Sequence, residues 1–383
     1  MRSDRIDERR HHRREVLKAA GALPLAMALG PDVARAAGVR GLKDIVPTRT
    51  FDVESHIDSL EWWAGEGLPK ERPYSRAQLA ADARAMRWTD GETGFEENLD
   101  RLLPFQASIQ IEDRAAALFA EYDAAGIDTA CQLIVDHAFE ESSYGRKYAV
   151  DYERIFADCT ALRAAWPGRV LTFAGVDPRR GGKEGAALLR RAIEDHGCSG
   201  LGEQVLQQYK VFPADRERCY PLYEVCVEHA VPYFGNCEGP APETMPLAYE
   251  QVAKDFPTLK ICLAGAGRPR TKGETTEEGW APTEDALRLA NAYENIYLDM
   301  ADWWRRDPGN IGRYLTFLRR CFDSDARTKV MFATDHPVFV AMGPVRSWVD
   351  VLVNAAEHGV TITDEEIALY YSGNPTRFLE GVL

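Results

Sequence analysis

Val330-Met331-Phe332-Ala333-Thr334-Asp335-His336-Pro337 decides how this chain is read. An apolar, β-prone run stops abruptly at a carboxylate, an imidazole and a proline. A buried parallel strand looks like this when its C-terminal end delivers an acid into a site. Near the other end, Phe51-Asp52-Val53-Glu54-Ser55-His56-Ile57 has the same character, and the two-residue strand period puts Glu54 and His56 on one face. From residue 111 onward, short apolar runs alternate with amphipathic segments, the mark of repeated βα units. Strands are expected at 51–57, 129–135, 169–175, 199–205, 231–236, 259–264, 295–300 and 329–334. Helical patterns fill the gaps at 112–125, 145–165, 183–195, 217–229, 243–255, 284–293, 308–322 and 345–358. Eight of each predict an α/β fold of the (β/α)8 TIM-barrel type. A doubly wound sheet is the competing reading, but the glycine-rich phosphate loop usual after its first strand is missing from the sequence. Residues 58–105 are too long for a simple connection, so an N-terminal insertion after strand 1 is expected. Its Trp62, Trp63, Tyr74 and Trp88 would cover the barrel mouth or pack on the barrel.

The first 36 residues read as targeting chemistry. Arg13-Arg14-Glu15-Val16-Leu17-Lys18 is a twin-arginine pattern behind a basic stretch, followed by a short apolar run from Ala19 to Gly30. Ala34-Arg35-Ala36 matches a small-x-small cleavage site. The apolar run is too short for a stable bilayer anchor, and the motif is an address read by a receptor. The expected division is therefore 1–36 as signal peptide and 37–383 as one barrel domain. Twin-arginine export machinery would be a partner, and the location periplasmic or secreted.

A formal net charge of −14 becomes more negative once this basic leader is removed. Such an acidic surface argues against nucleic acid or an anionic membrane as partner of the mature form. What remains is a small-molecule substrate, with a homodimer allowed. The 45% hydrophobic and 28% charged composition is ordinary for a soluble globular protein. The eight cysteines form no CxxC pairs, and Cys131 and Cys262 sit inside apolar runs, so free thiols are expected.

Residues at strand C-termini converge on one mouth in a barrel. Here they are Glu54 and His56, Asp136 and His137, Asp177, Glu203, Asn236 and Glu238, Asp299 and Asp302, and Asp335 and His336. His137 could bond a substrate; His336 could orient one, although its strand position points it away from the face of Asp335. Arg179 and Arg180 suit either a substrate carboxylate or a loop cap. The Trp303-Trp304 pair lines a pocket or packs. Cys237 has no activating neighbour in sequence.

The chain resembles the amidohydrolase superfamily, in the amidohydrolase-related branch that includes aminocarboxymuconate-type decarboxylases. The resemblance runs from about residue 50 to the C-terminus. It rests on Ala124-Ala125-Gly126-Ile127-Asp128, Tyr220-Pro221-Leu222-Tyr223-Glu224, Phe256-Pro257-Thr258-Leu259-Lys260 and the closing Ser372-Gly373-Asn374-Pro375-Thr376-Arg377-Phe378-Leu379. The family's strand 1 His-x-His reads Glu54-Ser55-His56 here, similar to some decarboxylases of the branch. Its strand 8 aspartate matches Asp335. The strand 5 and strand 6 histidines fall on Asn236 and Gly265, so two imidazoles are missing, and Glu203 could replace one.

The resemblance thus implies a divalent metal on Glu54, His56, Asp335 and Glu203. An oxygen-rich ligand set moves preference from zinc toward manganese or magnesium. The expected activity is hydrolysis of an ester, lactone or amide bond in a small organic molecule. In that reading Asp335 is the general base, His56 holds metal or polarises the carbonyl, and Asn236, His137, His336 and Trp303 contact substrate. A non-oxidative carboxy-lyase of the same fold and a binding protein that has lost catalysis are the alternatives.

Overall fold

The computed structural model describes residues 40–57, 76–77, 99–100, 111–136, 152–237, 241–268, 277–301, 303, 311–336 and 343–383. The expected signal segment, nearly all of the expected insertion, and His137, Glu238, Asp302 and Trp304 lie outside the described residues.

Eight parallel strands are found among the described residues, hydrogen-bonded in chain order. They are β1 (Phe51–Ser55), β2 (Thr129–Ile134), β3 (Val170–Ala174), β4 (Leu201–Gln204), β5 (Tyr233–Asn236), β6 (Ile261–Ala264), β7 (Ile296–Asp299) and β8 (Val330–Met331). The last strand returns to the first. Ser55 bridges His336 in parallel, and the Val53 amide donates to the Phe332 carbonyl at 3.1 Å. A helix follows each strand: α1 (Ile111–Ala125), α2 (Tyr152–Ala165), α3 (Gly182–Glu194), α4 (Tyr220–Glu228), α5 (Glu250–Asp255), α6 (Glu277–Ala292), α7 (Ile311–Phe322) and α8 (Val345–Val353). This is the expected (β/α)8 barrel. None of the described helices is long and apolar enough to cross a membrane.

The helices form because each presents an apolar stripe to the sheet. In α7, Tyr314, Leu315, Phe317, Leu318, Cys321 and Phe322 are buried, a spacing of three and four residues. Pro246 breaks the helix expected over 243–255 into two 3-10 turns, Pro242–Thr244 and Pro246–Tyr249, ahead of α5. A proline lacks the amide an uninterrupted helix needs. All eight cysteines are buried free thiols.

Inside the barrel, Phe51, Val53, Leu133, Phe173, Phe234, Tyr297 and Met331 form one apolar cluster with Phe378 of the C-terminal segment. That segment is tied down by side-chain bonds to backbone. Asn374 Nδ2 donates to the carbonyls of Arg327 and Val330 at 2.9 and 2.7 Å, and an Arg377 guanidinium nitrogen donates to the Thr328 carbonyl at 2.7 Å. The closing Gly-Asn-x-x-Arg pattern is thereby a latch that seats Phe378 on the early residues of the strands.

β1 carries the irregularity that matters most. Its pairing with β2 slips between Asp52 and Ser55, so β1 spends one more residue than its partner there. A bulge of this kind reverses which alternate side chains face inward. Phe51 and Val53 join the inner cluster below it, while Glu54 and His56 gather with Asp335 above it. Ser55 instead bonds to the Cys131 carbonyl at 3.0 Å.

Candidate active site

The strand ends bring four of the expected side chains together. His56 is 3% exposed. Its Nδ1 lies 2.7 Å from the Leu133 carbonyl oxygen, an acceptor that holds the ring proton on that nitrogen. Nε2 is then left facing three carboxylates. It lies 3.6 Å from Glu54, 3.6 Å from Glu203 and 3.4 Å from Asp335. Glu54 and Glu203 are buried, whereas the Asp335 side chain is 18% exposed and is the carboxylate most open to an incoming molecule.

Each carboxylate has its own support. Asn236 Nδ2 donates to Glu203 Oε1 at 2.6 Å, and the Asn236 carbonyl accepts from the Tyr249 hydroxyl at 2.7 Å. Asp335 adopts a left-handed backbone, φ 58°, and its amide donates to the Glu54 carbonyl at 3.0 Å. A non-glycine residue in that region is uncommon and persists where its surroundings hold it. Glu54 faces Asp299, whose Oδ1 accepts from the Gly265 and Ala301 amides at 2.8 and 3.1 Å. Burial first, then the charges of Asp299, Glu203 and Asp335, push Glu54 well above the usual carboxylate range. Burial raises Asp299 as well.

The donor set fits a divalent cation. Glu54, His56 and Asp335 place one ligand atom each within 4.8 Å of one another, and Glu203 joins the group through His56. Ligand atoms about 2.0–2.2 Å from a tetrahedral cation stand about 3.3–3.6 Å apart. The three separations around Nε2 match that spacing and exceed the usual hydrogen-bond length. Two buried oxygens, Glu54 Oε2 and Asn236 Oδ1, also find no hydrogen-bond partner among the described residues. Unsatisfied buried acceptors next to an imidazole lone pair are what a cation would relieve.

Other strand-end residues lie apart from this cluster. Fully buried Asp136 takes both arms of Arg180 at 2.7 and 2.9 Å, and Arg179 closes on Asp177. Both guanidinium groups are thus engaged with buried carboxylates of the scaffold. Trp303 is buried, donates to the Gly265 carbonyl at 3.0 Å and stacks on Phe317 at 4.8 Å. His336 has no exposed surface and neither ring nitrogen has a partner among the described residues; burial holds it neutral, with its pKa lowered to about 3.

One important residue was not singled out by sequence reading. Asp52, in the middle of β1, is fully buried and accepts from Tyr122, Thr334 and the Glu54 amide. Burial raises it to about 7 against those bonds. A lone carboxylate at a buried strand position, two residues before Glu54, was the available signal.

The family model described as amidohydrolase matches residues 56–381. The chain belongs to that family. No curated protein matched the sequence. Among solved structures, an amidohydrolase from Burkholderia multivorans with bound HEPES is similar at 14% identity, TM-score 0.57, covering 87% of this amidohydrolase and 99% of that chain. The B. multivorans protein is also known in a crystal form with bound zinc, at 16% identity, TM-score 0.50, covering 69% of this chain and 87% of that one. A probable 2-pyrone-4,6-dicarboxylic acid hydrolase from Acinetobacter baumannii, with citric acid bound, aligns at 11% identity and TM-score 0.53, covering 87% and 99%. A 2,6-dihydroxybenzoate decarboxylase from Rhizobium aligns at 15% identity and TM-score 0.51, covering 87% and 99%. At these identities the likeness is one of fold, shared by hydrolases and decarboxylases alike.

Proposed function

We propose that this amidohydrolase is an exported, metal-dependent hydrolase acting on an ester, lactone or amide bond of a small organic molecule. The observation that carries the reading is the set of three carboxylates at 3.4–3.6 Å around His56 Nε2. Glu54, His56 and Asp335 would hold the cation, with Glu203 as a further oxygen donor. Three oxygens against one nitrogen favour a harder ion such as manganese over zinc. A bound divalent cation supplies Lewis acidity that activates water and polarises a carbonyl.

The chain's own residues do the rest. Asp335, the most open of the acids, takes the proton from the attacking water and passes it to the leaving group. Leu133 keeps His56 in the tautomer that offers Nε2. Asn236, through Glu203, keeps a carboxylate against that nitrogen. The twin-arginine leader supports the export half of the reading.

A carboxy-lyase reading is favoured by one feature, Glu54-Ser55-His56 in place of His-x-His. There Asp335 would deliver its proton to the carbon that loses carboxylate. The deciding experiment is turnover on ester, lactone, amide and aromatic-acid panels by manganese-loaded protein, with carbon dioxide release followed in parallel. Hydrolysis without carbon dioxide, abolished by Asp335→Asn, is the expected result. Carbon dioxide release from an aromatic acid would overturn the hydrolase assignment in favour of the lyase. Wild-type protein free of metal after growth in manganese and zinc would end the metal-dependent reading. Export is tested separately: Arg13→Lys with Arg14→Lys should leave the protein in the cytoplasm, and unaltered export would refute the leader assignment.

A further inference from the structure

We propose that Asp52 is a positioning residue: its carboxylate clasps the ends of β1 and β8 and so sets Glu54 and His56 against Asp335. The inference rests on the metal-site reading above. It starts from the bulge in β1, where regular pairing slips between Asp52 and Ser55. A bulge leaves backbone groups without ladder partners. Asp52 supplies the missing acceptor from its side chain. Oδ1 accepts from the Glu54 amide at 3.2 Å and from the Thr334 amide at 3.1 Å. Oδ2 accepts from the Tyr122 hydroxyl at 2.6 Å and from the Thr334 hydroxyl.

One carboxylate therefore bonds the amide of Glu54 itself and Thr334, the residue just before Asp335. Tyr122 anchors it from α1, so the clasp spans sheet and helix layer. The Thr334 hydroxyl, besides donating to Asp52, accepts from the His336 amide at 3.2 Å and so shapes the turn around Asp335. Above the clasp the strands resume direct pairing: Asp335 amide to Glu54 carbonyl at 3.0 Å, and His56 amide to His336 carbonyl at 2.5 Å. Asp52 itself is fully enclosed and presents no surface to the barrel mouth. Its role is to fix the relative height of two strands that carry ligands, and supporting bonds of this kind are worth about 10–100-fold in metal affinity.

The test uses the full chain and two readouts. Hydrogen–deuterium exchange of metal-free protein reads the clasp directly, in peptides covering 51–57 and 330–336, with 170–174 as reference. Manganese affinity reads its consequence. Asp52→Ala should raise exchange at least about tenfold in both strand-end peptides and not in the reference, and weaken manganese binding about 10–100-fold. Asp52→Asn keeps an oxygen for both amides and should restore most of each. If Asp52→Ala does not fold, Thr334→Val, which removes one clasp donor at constant volume, should move both readouts in the same direction.

Wild-type exchange in both peptides of a folded Asp52→Ala, or of Thr334→Val in its place, overturns the proposal. Raised exchange with wild-type manganese affinity overturns it too, since the clasp would then be structural only. Failure of the wild-type protein to take up metal sinks the metal reading instead, and the exchange data still decide whether Asp52 sets the strand ends.

Discussion

Asn236 Nδ2 donates to Glu203 Oε1 over 2.6 Å, and that bond turns the second oxygen of Glu203 toward His56 Nε2 at 3.6 Å. An amide thus stands where the resemblance calls for an imidazole, and it steers a carboxylate toward the cluster. Asn236→Ala should weaken manganese binding about 10–100-fold, as loss of a ligand's supporting bond does. It should also cost about 1–3 kcal/mol of stability, because buried Glu203 loses the amide that donates to Oε1. Titration by calorimetry together with urea denaturation checks both. Unchanged manganese affinity would remove Glu203 from the ligand set.

Arg180 is expected to matter for stability and not for the site. Its two nitrogens hold Asp136, which is fully buried, and its guanidinium lies over the Tyr152 ring at 5.2 Å. Among the described residues, Arg180→Ala strands a carboxylate with only the Asp177 amide still bonded to it. Removing one partner of a buried pair costs about 3–5 kcal/mol. Chemical denaturation should read that loss, while manganese content per folded protein stays at the wild-type value. A variant as stable as wild type would contradict the pairing.

The barrel was legible because its strands are buried on both faces and so appear as unbroken apolar runs, as in Val330–Ala333 and Ile261–Ala264. The strand-end acids Glu54, Glu203, Asp299 and Asp335 were legible for the same reason, since each interrupts such a run. The bulge in β1 was not. It depends on how β1 pairs with β2, and strand period alone gives no sign of the added residue. Nor could spacing separate acids that stay available from acids that are neutralised. Asp136 and Asp177 occupy strand ends just as Asp335 does; Arg179 pairs with Asp177 from two residues away, but only the fold brings Arg180 onto Asp136. The same holds for Asp52, whose partners Tyr122 and Thr334 come from distant parts of the chain.

Acid stability should depend on Glu366. Its carboxylate takes two guanidinium nitrogens of Arg319 at 2.6 and 2.9 Å and caps its own helix through the Thr363 amide at 2.9 Å. The Arg319 bond lowers its pKa from 4.5 to about 2. A depressed folded-state pKa adds stability that is fully present above the unfolded value. That stability is lost as pH falls through the folded value. The contribution, at most about 3 kcal/mol, is therefore constant from pH 8 to 5 and declines between pH 4.5 and 2. The gap in thermal midpoint between wild type and Glu366→Gln should follow that window. A gap that persists unchanged at pH 2 would show that it is not the charge that matters.

Phe378 offers a separation of stability from function within one barrel. Its ring meets Phe234 at 5.1 Å and Tyr297 at 5.0 Å, and it is fully buried in the cluster that also contains Phe51 and Met331. Phe51 opens β1 and Tyr297 is the second residue of β7, so this contact lies at the N-terminal end of the strands. Glu54, Glu203, Asn236, Asp299 and Asp335 all sit at the other end. In barrels, residues at the C-terminal end carry chemistry and those at the N-terminal end carry stability. Phe378→Ala should cost about 3–5 kcal/mol, the range for removing a buried aromatic ring that its surroundings cannot refill. Sites that share no partners combine almost additively, so manganese affinity of the folded variant should equal that of wild type. Guanidinium denaturation and calorimetric titration on the same preparation read the two quantities. A loss below about 1 kcal/mol would mean that the C-terminal latch can re-seat without the ring. A parallel fall in metal affinity would mean that the two ends of the barrel are coupled through its core.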